Sequence, residues 1–579
     1  MPRLTPLFLT CGLILSGCAQ NPVPAPQSGQ AAVPQAGSQP RQVDAGEEAR
    51  LPAVELTDDL LFQFLVSEIA GQRGLLGLAK DGYLDLARKT RDPRIVRRGA
   101  EIALYSHDQE AALELGRLWL ELEPDSPRAM QTLIVVLISQ GRLDEVMPHL
   151  EKILSGPGVG AIFMQMPALF AKTRDTAAAY QLVNRLAQNH PDLAEASYAL
   201  AHAASQAGYA GAALEALKRA DQLRPGWEAA ALLRAQLLAK SSHDAALAFL
   251  KDFVEQYPGA HDVRLTYARM LVSANQVNEA HRQFAQLAEA LPGNAEVMLA
   301  AGLLSVQVRQ FDAAENYLGR VLELGQEDDG VVRYYLGQIA EQRGDFELAR
   351  SRYLSIAGGE YLVSSRTRLA SLLARQGRLD EARALLKTIV PADDAQKVQI
   401  IQAEADLLRE ARDHAAVFAL LDAAVKDRPE NSDLLYDRAM AAEKLNRLDV
   451  LESDLRKVIK LKPDYAHAYN ALGYTLVEKT DRLKEATELL DKAMLLAPDD
   501  PFILDSVGWL HYRKGDLDRA REYLERAWNL RQDPEIAAHL GEVLWMKGSR
   551  DEASRLWQSA LQNHPGNEVL IDVLNKFKR

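Results

Sequence analysis

The chain has 579 residues, 47% of them hydrophobic and 25% charged, with two cysteines and a formal net charge of −13. That charge argues against a nucleic-acid partner, because binding to a phosphate backbone rests on Lys and Arg contacts. Cys11 and Cys18 both fall within the first eighteen residues, so the remainder is expected to carry no disulfide and no thiolate metal site.

Residues 1–17 read as an export signal and not as structure. Arg3 supplies the positive end, and Leu4 through Leu15 form an apolar stretch too short to span a bilayer comfortably. Leu15-Ser16-Gly17-Cys18 then closes it with small residues and resembles the bacterial lipobox. The resemblance implies diacylglyceryl transfer to the Cys18 sulfur, cleavage before Cys18 and acylation of the new amino terminus. Two or more acyl chains hold a protein firmly at a membrane, at about 0.8 kcal/mol per buried methylene. Ala19 after the cysteine, in place of Asp, implies the outer membrane, with the chain facing the periplasm. Residues 18–56 have a tether's composition: Pro22, Pro24, Pro26, Pro34, Pro40 and Pro52 sit among Gln, Ala, Ser and Gly. Such a segment buries too little surface to offset its ordering entropy.

From residue 57 onward the chain is rich in Ala, Leu, Glu and Arg, with apolar residues at helical spacing. Residues 57–123 read as two weaker helical units. Within them Leu60, Leu61, Phe62, Phe64, Leu65, Val66 and Ile69 cover more than one helix face, a wider band than a single neighbour needs. The excess predicts a docking surface; the competing expectation is a divergent first unit buried against the next. Arg88, Lys89, Arg91, Arg94, Arg97 and Arg98 follow, interrupted by Asp92, and suit an anionic partner, phospholipid headgroups or a solvated face.

Prolines at 124, 157, 191, 225, 258 and 292 are separated by 33, 34, 34, 33 and 34 residues. Ten positions after the punctuating proline a small residue recurs: Ala201, Ala235, Ala268, Gly302, Ala439, Gly473 and Gly508. About twelve further on comes a second: Ala213, Ala246, Ala280, Ala314, Ala349, Ala382, Ala486, Ala520 and Ala553. Two helices approach closely only where the facing side chains are small. Polar turns such as Lys514-Gly515-Asp516 separate the helices, glycine permitting the left-handed conformation and Asp capping the next helix.

This pattern resembles the tetratricopeptide repeat, a 34-residue helix-turn-helix. The resemblance implies an all-α fold, a right-handed superhelix or α-solenoid, with about 13 clear repeats over residues 124–565 and a capping helix over 566–579. The spacing of 38 between Pro391 and Pro429 predicts an insertion or a lengthened helix. Pro148 and Pro167 fall inside predicted helices, Pro167 in the slot that holds Ala or Gly elsewhere, and predict a bend near Met164 and Met166.

No G-x-S-x-G, phosphate loop, zinc-spaced histidine pair or Cys-x-x-Cys stands in the sequence. Gly156, Gly158 and Gly160 flank Pro157 at an inter-repeat turn, and Asp328-Asp329, Asp393-Asp394 and Asp499-Asp500 read as helix caps. No enzyme activity, cofactor or metal is expected. In the repeat family the inner face comes from the first helix of each pair. Its positions here give Asp433, Tyr436, Met440 and Glu443; His467, Asn470, Tyr474 and Val477; Phe502, Asp505, Trp509 and Tyr512; and Glu535, Ala538, Glu542 and Trp545. Tyr436, Tyr474, Trp509, Tyr512 and Trp545 therefore read either as a peptide-binding track or as packing between helices.

Lipobox, Pro/Gln tether and long array together look like periplasmic adaptor lipoproteins that recruit carboxyl-terminal processing proteases and cell-wall hydrolases. The resemblance implies a serine protease of that type as one partner, docked at Leu60, Leu61, Phe62, Phe64, Leu65 and Ile69. It implies peptidoglycan hydrolases as cargo in the inner groove, with the membrane reached through the lipid. An assembly scaffold for a pilus secretin or an exopolysaccharide exporter is the alternative.

Overall fold

The computed structural model describes residues 52, 54–171, 173–325 and 329–577. Cys18, the leader and most of the tether lie outside the described residues. Among the described residues 31 helices follow one another, from Asp58–Gln72 to Glu568–Phe577, with no strand. None is long and apolar enough to cross a membrane.

Helix starts follow local chemistry. Asp500 accepts from the backbone N–H of Phe502 at 2.9 Å and Ile503 at 3.1 Å, and Pro501 occupies the first helical position, where its missing N–H costs nothing. Asp92 with Pro93, Ser126 with Pro127 and Asp533 with Pro534 repeat the device. Asp393 also caps, accepting from Gln396, whereas Asp329 pairs with Arg333 at 2.6 Å. Within a pair, Gly515 at φ 83° ends helix Pro501–Arg513, and Asp516 caps Leu517–Leu530 through Arg519.

The chain divides into two compact units, Met1–Leu324 and Gly325–Arg579. In each, consecutive helices pack as antiparallel pairs and each pair packs on the next, giving an α-solenoid. The small residue of the first helix sets the approach. A Cβ added at Gly302 would lie 2.7 Å from Leu318, at Gly473 2.8 Å from Leu490 and at Gly508 2.6 Å from Leu524. At Gly541 it would overlap the Trp557 indole. Every one of the second-helix alanines from Ala213 to Ala553 named above is buried. Leucines such as Leu318, Leu490 and Leu524 fill the space left over, each contributing about 1.5–3 kcal/mol by burial.

Two departures have local causes. Helix Asp394–Glu410 has 17 residues where its counterparts usually have 13 or 14, which takes up the long interval between Pro391 and Pro429. Helix Val159–Phe170 packs chiefly on Ala194–Gln206 instead of on its own partner Thr176–Gln188. Pro167 stands where the close contact between partners would form, so the pair has lost its small-residue seat. Pro148 sits inside helix Leu143–Leu154 and Pro167 inside Val159–Phe170, depriving the carbonyls of Asp144 and Phe163 of their usual donors. Met166 is buried, whereas Met164 is exposed.

Candidate protein-interaction surfaces

In the second unit Tyr436 projects from helix Ser432–Lys444, Tyr474 from Ala466–Lys479, and Trp509 and Tyr512 from Pro501–Arg513. Trp509 is only 8% exposed. It stacks on His539 at 4.2 Å and 21° and on Tyr512 at 4.7 Å and 28°, and its indole N–H donates to Glu478 at 2.8 Å. Tyr474 lies 6.1 Å from His539. His539, on helix Pro534–Met546, places Nδ1 3.0 Å from both carboxylate oxygens of Asp505, one repeat away. Tyr512 donates to Glu542 at 2.9 Å, and Lys576 donates to the same oxygen at 2.7 Å.

Tyr474, Trp509 and Tyr512 thus form one cluster. Tyr436 packs edge-on against Tyr465 at 5.4 Å, and Trp545 lies against Trp557 and Phe577 beneath the final helix. The five aromatics are three packed groups and not one open track. His539 and Glu478 were not singled out from the sequence; both His539 and His281 are buried. The available signal was the 34-residue offset between Asp505 and His539, an acid and a base repeated at the array's own period.

The electrostatics follow from crowded carboxylates. Burial pushes the Tyr474 phenol well up, and Glu535, Asp505, Glu478 and Glu443 push it further. Burial, then Tyr465, Asp437 and Glu443, take Tyr436 to about 12. For His539 burial is the largest influence and lowers the pKa, but Asp505, Glu535 and Glu478 outweigh it and the net direction is up. Glu535 is raised: desolvation is the largest influence and Asp505 and Asp533 add repulsion, against the opposite pull of His539 and Lys444.

At the amino-terminal edge, helix Asp58–Gln72 buries only Ser67 and Ala70 fully. Phe62 is 71% exposed, and Leu61, Phe64, Leu65 and Ile69 are also exposed, with Leu75 and Leu78 on the following segment. Leu60 is half-buried and lines, with Phe64, Leu86 and Ile95, a hollow of about 250 Å³. The nearby cations are matched: Arg88 with Glu114, Lys89 with Asp85, Arg91 with Glu121 and Arg94 with Asp92, all at 2.6 Å. Arg98 pairs with Glu68 at 3.3 Å and Arg97 is exposed, so the basic run is a largely paired, solvated face.

Other polar clusters offer no reactive geometry. His281 Nε2 is 2.9 Å from Ser305 Oγ, but both are buried and the hydroxyl donates to the Ala301 carbonyl within its own helix. No group of three or more His, Cys, Asp or Glu able to hold a metal occurs among the described residues.

Models of the tetratricopeptide repeat match residues 237–303, 299–359, 362–389, 466–500 and 508–568. The chain is 34% identical over 540 residues to the TPR repeat-containing protein PA4667 of Pseudomonas aeruginosa, across 92% of this chain and 90% of that one. It is 25% identical over 450 residues to cellulose synthase 2 operon protein C of Komagataeibacter xylinus, across 69% of this chain and 33% of that one. Among solved structures, TTC0263, a thermophilic TPR protein of Thermus thermophilus, aligns over 31% of this chain and 99% of its own at 22% identity, with a TM-score of 0.29. By the near full-length match to the Pseudomonas protein and the repeats on both units, the chain belongs to the tetratricopeptide-repeat proteins, whose stacked helix pairs are protein-interaction scaffolds.

Proposed function

We propose that the protein is a non-enzymatic adaptor lipoprotein, anchored through Cys18 to the outer membrane and facing the periplasm. It binds a serine protease of the carboxyl-terminal processing type and delivers peptidoglycan cross-link hydrolases to it, in the manner of LbcA-like adaptors. The observation that carries this reading is the presence of two chemically unlike surfaces on one chain. One is the exposed apolar edge at Leu61, Phe62, Phe64, Leu65 and Ile69; the other is the inner face of the second unit, where carboxylates crowd Tyr474. One docks the protease and the other receives cargo. Joining both partners on one leashed chain turns a bimolecular encounter into a nearly intramolecular one, with an effective concentration in the millimolar range for short flexible linkage. Pro148 and Pro167, each inside a helix, are proposed to bend the first unit.

Affinity capture from membranes, with the lipobox-bearing chain as bait, tests the reading. A serine protease with hydrolases is the expected catch. Replacing Phe62 and Leu65 by Ser should remove the protease and spare the hydrolases; loss of both from a folded variant speaks against separate surfaces. The second reading, a scaffold for exopolysaccharide export or a pilus secretin, draws on the similarity to the cellulose synthase operon protein, and an export porin or secretin in the same capture would favour it.

A further inference from the structure

Resting on the reading of the amino-terminal edge as the protease's docking surface, we propose that this edge is the seat of one amphipathic helix, supplied by the partner and basic at its carboxyl-terminal end. Register with the rest of the array carries the inference. Each first helix turns a small residue toward its own second helix: Gly302, Gly508 and Gly541 meet Leu318, Leu524 and Trp557, and Ser67 of helix Asp58–Gln72 meets Gly82 in the same way. Five positions before that residue stand Val297, Ile503 and Ile536, each 0% exposed, and two positions after it Leu304, Leu510 and Val543, none above 6%. The second helix of the preceding pair covers them; Ile536, for one, shares a buried cluster with Ala527 of Leu517–Leu530. The equivalent residues of helix Asp58–Gln72 are Phe62 and Ile69, 71% and 48% exposed, with Leu65 between them on the same face. No helix precedes it among the described residues, and residues 18–56 lack the apolar spacing to supply one.

Charge sets the orientation of the occupant. At the start of the helix Glu55, Asp58 and Asp59 are exposed, and none is in an ion pair among the described residues; at its end stands Arg73, also exposed and without an ion pair among them. Consecutive helices of the array run antiparallel, so the seat brings the last turn of an incoming helix to the three carboxylates and its first turn to Arg73. A helix acidic at its start and basic at its end meets both, and the same polarity suits its own dipole. Apolar anchors at i, i+3 and i+7 are the pattern by which a helix is read in a groove. A second copy of helix Asp58–Gln72 would set one arginine against three carboxylates at each end, and anionic phospholipid headgroups would meet only like charge there.

The test uses the purified full-length chain and fluorescent peptides copying Leu448–Leu461, a second helix of the array with Asp449 in its first turn and Lys460 in its last. One peptide is held helical by a hydrocarbon staple on its outer face, another is stapled with its acidic and basic residues exchanged, and the last is unstapled with proline at its centre. The proposal expects the first to bind at least tenfold more tightly than either of the others and to lose binding in Phe62→Ser/Ile69→Ser. It expects the charge preference to vanish in Asp58→Asn/Asp59→Asn, with the far-ultraviolet circular dichroism unchanged in both variants. Added to the membrane capture, the first peptide should displace the protease. Tight binding that leaves the protease in place keeps the helix seat and overturns the protease's assignment to it. Equal binding of all the peptides, or of none, while Phe62→Ser/Ile69→Ser still loses the protease keeps the docking edge and overturns the helical occupant; with the protease retained, both fall. Self-association of the chain, or binding to phosphatidylglycerol vesicles, that is abolished by the same variant while the peptides fail to bind overturns the proposal in favour of a second copy or of the membrane.

Discussion

Arg412 and Glu568 are 156 residues apart in sequence, yet their side chains form an ion pair at 2.8 Å. The turn after helix Asp394–Glu410 thereby touches the first residue of the final helix, within the second unit. Both partners are highly exposed, so the pair is worth at most about 1 kcal/mol and is weakened by salt. Arg412→Glu should widen this separation, and adding Glu568→Arg should restore it. Electron-paramagnetic distances between spin labels at His414 and Ile571 would read this directly; an unchanged distance in the single variant means that the clasp is idle.

Gly541 allows its helix to lie against the Trp557 indole, and a methyl group there has nowhere to go. Gly541→Ala should lose about 1–3 kcal/mol through overpacking. The loss should be confined to helices Pro534–Met546 and Arg550–Asn563 and appear as faster amide exchange there. Gly515→Ala, in the turn, acts differently: it strains a backbone at φ 83° and leaves helix packing alone.

His539 gives the second unit a pH dependence whose direction is fixed by its surroundings. Asp505 from the preceding repeat, Glu535 from its own helix and Glu478 from Ala466–Lys479 all favour the imidazolium, and its pKa stands above the ordinary value of about 6.5. A group raised on folding stabilises fully below its unfolded value, and the contribution is lost as pH climbs through the folded value. The midpoint of thermal unfolding, followed by tryptophan fluorescence, should therefore fall as pH rises above the ordinary histidine value of about 6.5. His539→Gln should flatten that fall, at a cost of about 3–5 kcal/mol for leaving Asp505 buried without its cation.

Arg264 is a buried cation among neutral acceptors: Gln283 at 2.6 Å, Gln286, and the carbonyls of Val254 and Pro258 at 3.2 Å each. Burial lowers its pKa without bringing it near neutrality. Arg264→Ala should strand these acceptors and lower protection throughout helices His243–Gln256 to Val277–Ala290. Arg264→Lys, lacking the planar fork, should recover only part of the loss. Hydrogen exchange on the first unit would decide it.

What could be foreseen and what could not divide along one line. Helices, turns and the closeness of paired helices were legible because each depends on residues within one 34-residue unit: Gly508 and Leu524, or Gly515 and Asp516, state their relation at fixed spacing. Surfaces depend on several units at once. Trp509 occupies an inner-face position by count, and nothing in its own repeat says that His539, thirty residues on, will stack on it. Trp545 likewise takes its surroundings from Phe577 in the last helix. The apolar excess of Leu61, Phe62 and Leu65 was visible, but whether it was buried depended on how the neighbouring helices were placed.

The displaced pair at Val159–Phe170 and Thr176–Gln188 has a mechanical meaning. A stack of helix pairs behaves as a spring whose stiffness at each step comes from the interface within and between pairs. Where proline has taken the seat of alanine, one such interface is reduced while the links on either side keep theirs. Pulled from its ends, the first unit should yield at this step before its neighbours, and in a force-extension trace that step should be the first, lowest peak.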